Sequence, residues 1–477
     1  MTVAIRYRLC GIAVCGCLSA CAVGPEYVAP KPPAANTAAF VSFNRSVETV
    51  GTAPDAWWRL YDDPALDALI REAFAANYDL KAAEANLSAA RAILEGARVA
   101  RYPSTQIVAG ATYGRDASTN EILELTGRRP ATDWLYDALL DVSYEVDLFG
   151  RVRRSIEAAQ ANAGAVAAAR DALRVTIAAE TARAYADVCT SGEQIVVAEH
   201  DVSVVAREEQ ITQARHDAGA NSDFDVVRAQ ALVAQVRATL PPLLGQRRAA
   251  LFELSALLGR APSSAPEEVL RCTTAPHLIS LIPIGDGALL LRRRPDIREA
   301  ERQLATATAE IGVTTADLFP RVSLLGQYGS VSNRIPLLGT DRGLTWGVGP
   351  AVSWQFPNLA GPLAAVHQAK AGASAALAHF DSVVLQSLKE TEQTLSTYTA
   401  ELDRRAQLVE LQSKSQKAFE LASTQFAAGS VSNLDLLTTE QSLVSADALV
   451  AQSDAAIVQD QIAVFKALGG GWGSDGR

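Results

Sequence analysis

The sequence is poor in aromatic residues, has a single methionine, and has no long apolar run after its first twenty residues. Apolar runs such as 165–169 and 288–291 are far shorter than the roughly 20 residues of a membrane-spanning helix. If the chain crosses a membrane, it must therefore do so as a closed β-barrel, because lipid tolerates no unpaired backbone. Abundant alanine and few aromatic residues suit long helices that pack through small side chains.

The sequence also lacks the patterns of an enzyme or a nucleic-acid-binding protein. The net charge is −10, and the basic residues form no patch interleaved with aromatic residues, which argues against nucleic acid as a partner. No phosphate-binding loop is present, and residues 469–477 are interpreted as a C-terminal tail. The five histidines show no metal-ligand spacing: His200, His216, His277, His367 and His379. We therefore predict a protein that is not an enzyme and that holds no metal or other cofactor apart from covalent lipid.

Residues 1–20 have the pattern of a secretory signal, with two arginines before a short apolar stretch. They end in Leu-Ser-Ala before Cys21, which resembles a bacterial lipobox; an ordinary signal peptide is the alternative. The resemblance implies cleavage before Cys21, lipid on its sulfur, and a lipidated linker over residues 21–55. By resemblance to enterobacterial lipoprotein sorting, in which an aspartate at the next position favours the inner membrane, Ala22 favours the outer membrane. Acyl chains would anchor the chain with about 0.8 kcal/mol per buried CH₂.

Two other cysteines remain after this cleavage, Cys189 and Cys272. In an oxidising compartment they could form a disulfide. Two separately buried thiols are the alternative, and the sequence leaves the choice open.

The chain contains an internal duplication. Asp296 follows Asp79 by 217 positions, in the matching segments 77–80 and 294–297, whereas Ser353 follows Ser143 by 210. The extra seven residues of the first copy are expected in a surface loop. Each copy has an amphipathic helix, two strands, a long helical region, a glycine turn and another helix. We predict a first repeat at 56–240, an intervening segment at 241–285, and a second repeat at 286–468.

Each repeat contains two predicted strands, at about 104–114 and 138–148, and at about 321–330 and 344–356. The second strand of each repeat alternates apolar with polar residues over about ten positions, which is typical of a transmembrane β-strand, whereas the first strand of each alternates less cleanly. A soluble sheet with one solvated face is the alternative. Pro350 lacks a donor for the ladder and predicts a local bulge. Four strands cannot close a barrel of at least about eight, so several chains must share one.

The regions 151–218 and 363–428 contain no proline and are rich in helix-forming residues. At 1.5 Å per residue each would be about 100 Å long, and helices of that length need partners along their whole length. A coiled-coil stalk and a periplasmic adaptor lipoprotein are the alternative interpretations. The paired hairpins at one end of these helices instead favour a tunnel, in which a membrane barrel is continued by a barrel of helices.

Both long helical regions lead into a glycine turn followed by an aspartate, at 218–225 and at 428–435. Glycine ends helices in the left-handed conformation, and a serine, asparagine or aspartate can cap the next helix. Asp225 and Asp435 then lie in a first helical turn, where capping alone would explain them. In an oligomer the same carboxylates could form rings at an aperture.

These features together resemble one family. The segments that carry the resemblance are 24–27, 58–66, 291–297, 319–320 and 467–470, with the two glycine turns. They are similar to the outer-membrane efflux protein family, of the TolC, OprM and NodT kind, over nearly the whole mature chain.

The resemblance implies an α+β membrane protein. It implies a homotrimer whose 12-stranded β-barrel, four strands per chain, is continued by a long α-helical periplasmic barrel. Its partners would be outer-membrane lipid, a periplasmic adaptor (membrane fusion) protein and an inner-membrane RND-type transporter. The function would be a passive exit duct for drugs or other small toxic compounds. An exit duct for protein secretion of type I is the alternative.

One position departs from the family pattern. In the TolC branch an arginine and a tyrosine help the aspartates to close the aperture, whereas here Val431 and Phe426 occupy the matching positions. The resemblance therefore makes Asp225, Asp435 and Phe426 the aperture candidates, with Phe426 expected to contribute packing.

Overall fold

The computed structural model describes residues 22–31, 33–42, 44, 48–49, 51–115, 127 and 132–471. Backbone contacts divide the chain into two compact units. The first comprises the described parts of residues 1–30, 87–166 and 300–380. The second comprises the described parts of residues 31–86, 167–299 and 381–477. Each unit therefore draws on both sequence repeats.

Helices account for most of the described chain. They are α1 Pro64–Ala76, α2 Tyr78–Val99, α3 Arg151–Asp217, α4 Asp223–Arg237, α5 Leu240–Leu257, α6 Gly287–Arg293, α7 Pro295–Ala316, α8 Ala360–Ala427 and α9 Asn433–Ala467. Short 3-10 helices lie at Ala34–Thr37, Trp57–Tyr61, Pro262–Ser264, Glu267–Arg271 and Ile335–Leu337. No helix of the described residues has both the length and the apolar character needed to cross a membrane.

The starts of the helices follow local chemistry. The Asp63 carboxylate accepts hydrogen bonds from the backbone of Ala65 and Leu66, and so caps α1. The prolines at 241 and 242 do not prevent helix formation. They lie in the first turn of α5, where backbone N–H groups have no partner within the helix, so a residue without an N–H costs no helical hydrogen bond.

Six strands are described: β1 Glu48–Thr49, β2 Ser104–Gly114, β3 Asp133–Val146, β4 Ile282–Pro283, β5 Arg321–Ser332 and β6 Leu344–Ser353. In the second unit β1 pairs with β4 in parallel. In the first unit the other four form an antiparallel sheet in the order β2-β3-β5-β6. Both sequence hairpins are therefore present, and β3 and β5 join them.

The strand bounds differ from the prediction by more than two residues at two places. β3 begins at Asp133, five residues before the predicted start, because it remains paired with β2 as far as Gly114. β6 ends at Ser353 rather than Phe356, because Ser353 already faces Arg321, the first residue of β5.

The bulge predicted at Pro350 is wrong. The register between β5 and β6 runs without interruption, and Pro350 faces Leu324 within it. Within the single chain β6 lies at the edge of the sheet, and edge strands are where sheets tolerate proline.

The core of the second unit forms around Trp57, whose ring stacks on that of Phe465 at 4.8 Å between centroids. Both side chains are fully buried, as are Ile70 and Leu254. In the same unit Cys189 and Cys272 form a disulfide, with their Cα atoms 4.8 Å apart. This settles the choice that the sequence left open.

Candidate functional site

The first glycine turn lies between α3 and α4. Gly219 has a φ of +77°, the left-handed conformation that ends a helix without strain only for glycine. Ser222 then caps α4: its hydroxyl accepts from the Asp225 amide at 3.3 Å. The Asp225 carboxylate accepts in return from the Ser222 amide at 3.0 Å and from its hydroxyl at 2.8 Å. This reciprocal arrangement is a capping box.

The second turn, between α8 and α9, repeats this geometry. Gly429 has a φ of +75°. The Asp435 carboxylate accepts from the Ser432 amide at 3.1 Å and from the Ser432 hydroxyl at 2.5 Å, which completes a second capping box. The duplication thus extends to single hydrogen bonds. The sequence left the cap open between Ser222 and Asp223 and between Ser432 and Asn433, and in the structure the serine is the cap at both turns.

These hydrogen bonds lower the pKa of both aspartates below the usual value, because they favour the charged carboxylate. At Asp225 the Ser222 amide contributes most, followed by the Ser222 hydroxyl, and the Asn433 side chain adds to them. At Asp435 the Ser432 hydroxyl contributes most and its amide second. Both aspartates therefore present a fixed negative charge at neutral pH.

The two turns contact each other. The Arg215 guanidinium lies over the Phe426 ring, 4.0 Å from its centroid, and donates to the Phe426 carbonyl oxygen at 3.3 Å. Phe426 is buried and packs with Ala422 and Leu436. The structure thus places the three predicted residues in one region of the second unit. Their role at an aperture stays a prediction.

Sequence reasoning missed two residues near these turns. One is Arg215, which provides the cation beside Phe426. The other is Glu440 on α9, which is fully buried with both carboxylate oxygens unpaired. Burial, together with the nearby charge of Glu208 on α3, raises the pKa of Glu440 to about 7. The sequence did contain an indication that Glu440 is buried, because it lies four residues after Leu436 and three before Leu443, on the apolar face of the helix.

The second candidate surface is the four-stranded sheet of the first unit. One face carries large apolar side chains that are exposed in the single chain: Tyr328, Leu344, Trp346, Val348 and Val352. The opposite face is mostly polar, although Val108 and Leu325 also lie on it, and there Gln327 donates to the Asp141 carboxylate at 3.1 Å. An exposed apolar patch of this extent marks a surface that contacts membrane or protein.

Aromatic side chains lie toward both ends of this sheet. Trp134 stacks with Tyr136 and lies 5.3 Å from Tyr113 between ring centroids. Beyond the other end of the strands, Trp354 stacks with Phe356 at 4.6 Å. Aromatic residues that flank an apolar band are typical of the two interfaces of a membrane.

The predicted lipidation site, Cys21, lies outside the described residues. The described chain begins next to it, and the Val23 amide donates to the Phe149 carbonyl oxygen at 3.1 Å. Ala22 lies against Gly150, and a Cβ added to this glycine would come within 2.8 Å of the Ala22 Cα, which is closer than van der Waals contact allows. The chain after Cys21 is thus packed between the end of β3 and the start of α3.

Comparison with known proteins agrees with this architecture. Residues 69–260 and 288–470 match the family model described as outer membrane efflux protein. The chain is 30% identical over 427 residues to the pyoverdine export outer membrane protein OpmQ of Pseudomonas aeruginosa, covering 88% of each chain. It is 28% identical over 451 residues to nodulation protein T of Rhizobium leguminosarum bv. trifolii, covering 91% of each.

A solved structure of the outer-membrane channel OprN superposes with a TM-score of 0.87. It is 33% identical and covers 95% of this chain and all of that one. The open state of the Neisseria gonorrhoeae MtrE outer membrane channel gives a TM-score of 0.82 at 25% identity, over 95% of this chain and 99% of that one. Because the family model matches both repeats and these likenesses extend over nearly the whole length, the chain belongs to the outer membrane efflux protein family.

Proposed function

We propose that this protein is the outer-membrane exit duct of a tripartite efflux system and conducts small toxic molecules out of the cell. The observation that carries the proposal is the sheet of the first unit, which has one apolar face, one polar face and two unpaired edges. Such a sheet suits lipid on one side and water on the other.

The sheet has the length that this role requires. The ladder between β3 and β5 contains 11 residue pairs, from Tyr136 with Ser332 to Val146 with Val322. At roughly 3.3 Å per residue, this is about 36 Å along the strand. With a tilt of about 45°, the ladder spans about 25 Å, the height of the apolar band of a transmembrane barrel.

Three chains would complete the barrel. An open sheet edge cannot face lipid, so the edges of β2 and β6 must be paired by other copies. The homotrimer that the family resemblance implies supplies twelve strands, four from each chain. Lipid on Cys21 would anchor each chain beside the sheet, since the segment after it packs against Phe149 and Gly150.

We propose further that the duct acts with a periplasmic adaptor and an RND-type inner-membrane transporter, in keeping with its family. The relatives support a small-molecule cargo: one is named for pyoverdine export and another for toluene efflux.

A pair of lysine substitutions on adjacent residues of β6 tests the proposal. Val348 is 71% exposed on the apolar face, so Val348→Lys would place a charge in lipid at a cost of roughly 2–4 kcal/mol per chain. Gly347 points to the polar face, where an added Cβ meets nothing within 4 Å, so Gly347→Lys is the matched control.

We expect the unsubstituted protein and Gly347→Lys to form detergent-resistant trimers, to conduct in planar bilayers, and to restore drug resistance with their pump in a strain lacking its own exit duct. Val348→Lys should lose membrane assembly. If the unsubstituted protein gives no conductance, or if both lysine variants assemble equally well, the proposal is wrong.

A further inference from the structure

The helices α3 and α9 contact each other beside the two glycine turns. α3 leads to the first turn, and α9 leads away from the second. Near the turns the Thr212 hydroxyl donates to the Asn433 side-chain oxygen at 3.5 Å. Farther from the turns, Val205 of α3 and Leu437 of α9 belong to one buried apolar cluster. The two helices therefore run antiparallel through this contact.

Two pairs of acidic side chains lie in the same contact, and each pair joins the two helices. In the first pair, the charge of Glu208 on α3 acts on Glu440 of α9. In the second pair, the charge of Asp447 on α9 acts on Asp201 of α3. The pairs are seven residues apart on both helices. Seven residues are nearly two turns, so the pairs lie on one face of each helix, about 10 Å apart.

One acid of each pair is buried away from solvent. Glu440 is fully buried, and neither of its carboxylate oxygens has a hydrogen-bond partner. Asp201 is 4% exposed. The neighbouring helix α4 adds the apolar residues Leu232, Val233 and Val236 to the cluster between the helices. An ionised carboxylate is unfavourable in such a place unless a cation lies beside it.

The charges that act on these two buried acids are themselves negative. Burial is the larger cause and the like charge is the second, and both favour the protonated acid. Together they raise the pKa of Glu440 from 4.5 to about 7, and that of Asp201 from 3.8 to about 7. Below neutral pH the buried acid of each pair is therefore uncharged.

The other two acids, which are only partly buried, have partners. Burial raises the pKa of Glu208, and the neighbouring Arg207 and Arg215 on the same helix oppose this shift. From α8, the Gln412 side-chain amide donates to the Asp447 carboxylate at 2.8 Å. Glu208 and Asp447 thus supply the negative charge of each pair, whereas the buried acid gains or loses the proton.

The fold does not require acids at these positions. The offset of 210 in the duplication relates α3 to α8 and α4 to the start of α9. The positions that it relates to the four acids carry Leu411, Ala418, Gln230 and Arg237. Equivalent helices therefore form in the other copy with no carboxylate at these positions, and the acidic pairs are a separate feature of the α3–α9 contact.

We propose that the two pairs act as a pH-sensitive clamp, in which protonated Asp201 and Glu440 let α3 and α9 pack together and their ionisation loosens the contact. Both acids hold their proton more tightly in the folded chain than in the unfolded chain. The contact is therefore strongest below about pH 4 and weakens as the pH rises to about 7. Since α9 begins at the second glycine turn, a looser contact frees this turn. Where the protein acts as the proposed duct, the clamp makes the packing of its helix ends depend on periplasmic pH.

Hydrogen exchange of the backbone amides of residues 198–212 and 436–450 tests the clamp in the full-length, membrane-assembled protein. Exchange is measured at pH 5, 6, 7 and 8 and corrected for the intrinsic pH dependence of the exchange reaction. In the wild type both segments should open at least about tenfold more often at pH 8 than at pH 5, since one pKa unit is a factor of ten in the equilibrium.

Two double variants separate the effect of charge from that of packing. Asp201→Asn with Glu440→Gln keeps the shape of the protonated acids but cannot ionise, so opening should no longer depend on pH. Glu208→Lys with Asp447→Lys puts a cation beside each buried acid and so favours its ionised form. In this lysine variant both segments should open less often at pH 8 than at pH 5, the reverse of the wild type.

The matched control, Glu199→Gln with Glu410→Gln, removes two exposed carboxylates and should behave as the wild type. An equal pH dependence in the wild type and the variant with both buried acids neutralised would overturn the clamp, whether or not the lysine variant assembles. A lysine variant that assembles and still opens more often at pH 8 would overturn the pairing of the acids. Hydrogen exchange does not require conduction, so a clamp found in protein that fails to conduct in planar bilayers would stand while the proposed function falls.

Discussion

Substitution of Glu440 by glutamine should abolish a pH-dependent loss of stability in the helices beside the two glycine turns. Glu440 is fully buried with no hydrogen-bond partner, and its pKa is raised from 4.5 to about 7. Removal from water is the larger cause, and the nearby Glu208 carboxylate is the second. The glutamine side chain would keep the shape of the protonated acid but could not ionise.

The direction of the effect follows from where the proton is held. Between pH 4.5 and 7 the folded state keeps a proton on Glu440 that the unfolded state releases, so stability falls as pH rises through this window. Above pH 7 the loss is complete and constant. A shift of this size corresponds to about 2–3 kcal/mol once partial solvent screening is allowed for.

Hydrogen exchange of the backbone amides of α9 and the facing part of α3 is the appropriate measurement, with wild type and Glu440→Gln compared at each pH. The two should exchange alike near pH 4. At pH 8 the wild type should open roughly 30- to 150-fold more often, the ratio that about 2–3 kcal/mol represents. The control is Glu410→Gln, which removes an exposed carboxylate from α8. An equal pH dependence in wild type and Glu440→Gln would refute the reasoning.

Three further predictions concern other parts of the second unit. Asp435→Ala, alone or with Asp225→Ala, should raise single-channel conductance in planar bilayers. The control replaces the N-cap residues Ser222 and Ser432 by alanine, which breaks the same caps but keeps both carboxylates. An equal rise in conductance in the serine variants would reject a gating role for the carboxylates. Arg294→Met should lower thermal stability by about 1–3 kcal/mol, because the buried Ala467 carbonyl oxygen and the partly exposed carboxylates of Asp296 and Glu390 lose this donor. A similar loss in the exposed neighbour Arg292→Met would show that the effect is not specific. Cys272→Ser should lower stability by about 2–4 kcal/mol, and unfolding at the same temperature as the wild type under non-reducing conditions would contradict this.

Features that depend on neighbouring residues could be predicted from the sequence. A capping box needs only a serine and an aspartate three residues later, and both turns have this pattern, at Ser222 with Asp225 and at Ser432 with Asp435. The long helices could be predicted for the same reason, because helix propensity and the absence of proline act locally. The sequence repeat then indicated that both halves fold alike.

Features set by distant contacts could not be predicted. The start of β3 at Asp133 depends on how far β2 extends, and the regular pairing of Pro350 depends on the position of β6 in the sheet of the single chain. The Cys189–Cys272 disulfide depends on the packing of a segment 83 residues along the chain. The burial of Glu440 depends on helices that are distant in sequence, so an apolar stripe interrupted by one acid gave only an indirect signal.

The duplication also relates the ends of α5 and α9, where equivalent positions make the same contact with different side chains. The Asn77 side-chain amide donates to the Leu257 carbonyl oxygen at the end of α5, at 3.0 Å. The Arg294 guanidinium donates to the Ala467 carbonyl oxygen at the end of α9, at 2.9 Å. Asn77 and Arg294 are related by the offset of 217, and Leu257 and Ala467 by the offset of 210, so the same contact is made by different side chains.

Arginine in place of asparagine changes the number of hydrogen bonds that this position can donate. An asparagine amide has two donor hydrogens, whereas the guanidinium has five in a planar fork. The additional donors of Arg294 reach the carboxylates of Asp296 at 2.7 Å and Glu390 at 2.9 Å. Glu390 belongs to α8, so Arg294 joins the end of α9 to the long helix beside it. Because charge-assisted hydrogen bonds are roughly twice as strong as neutral ones, Arg294 makes more and stronger hydrogen bonds at its helix end than Asn77 makes at the first, although burial of the guanidinium offsets part of the gain.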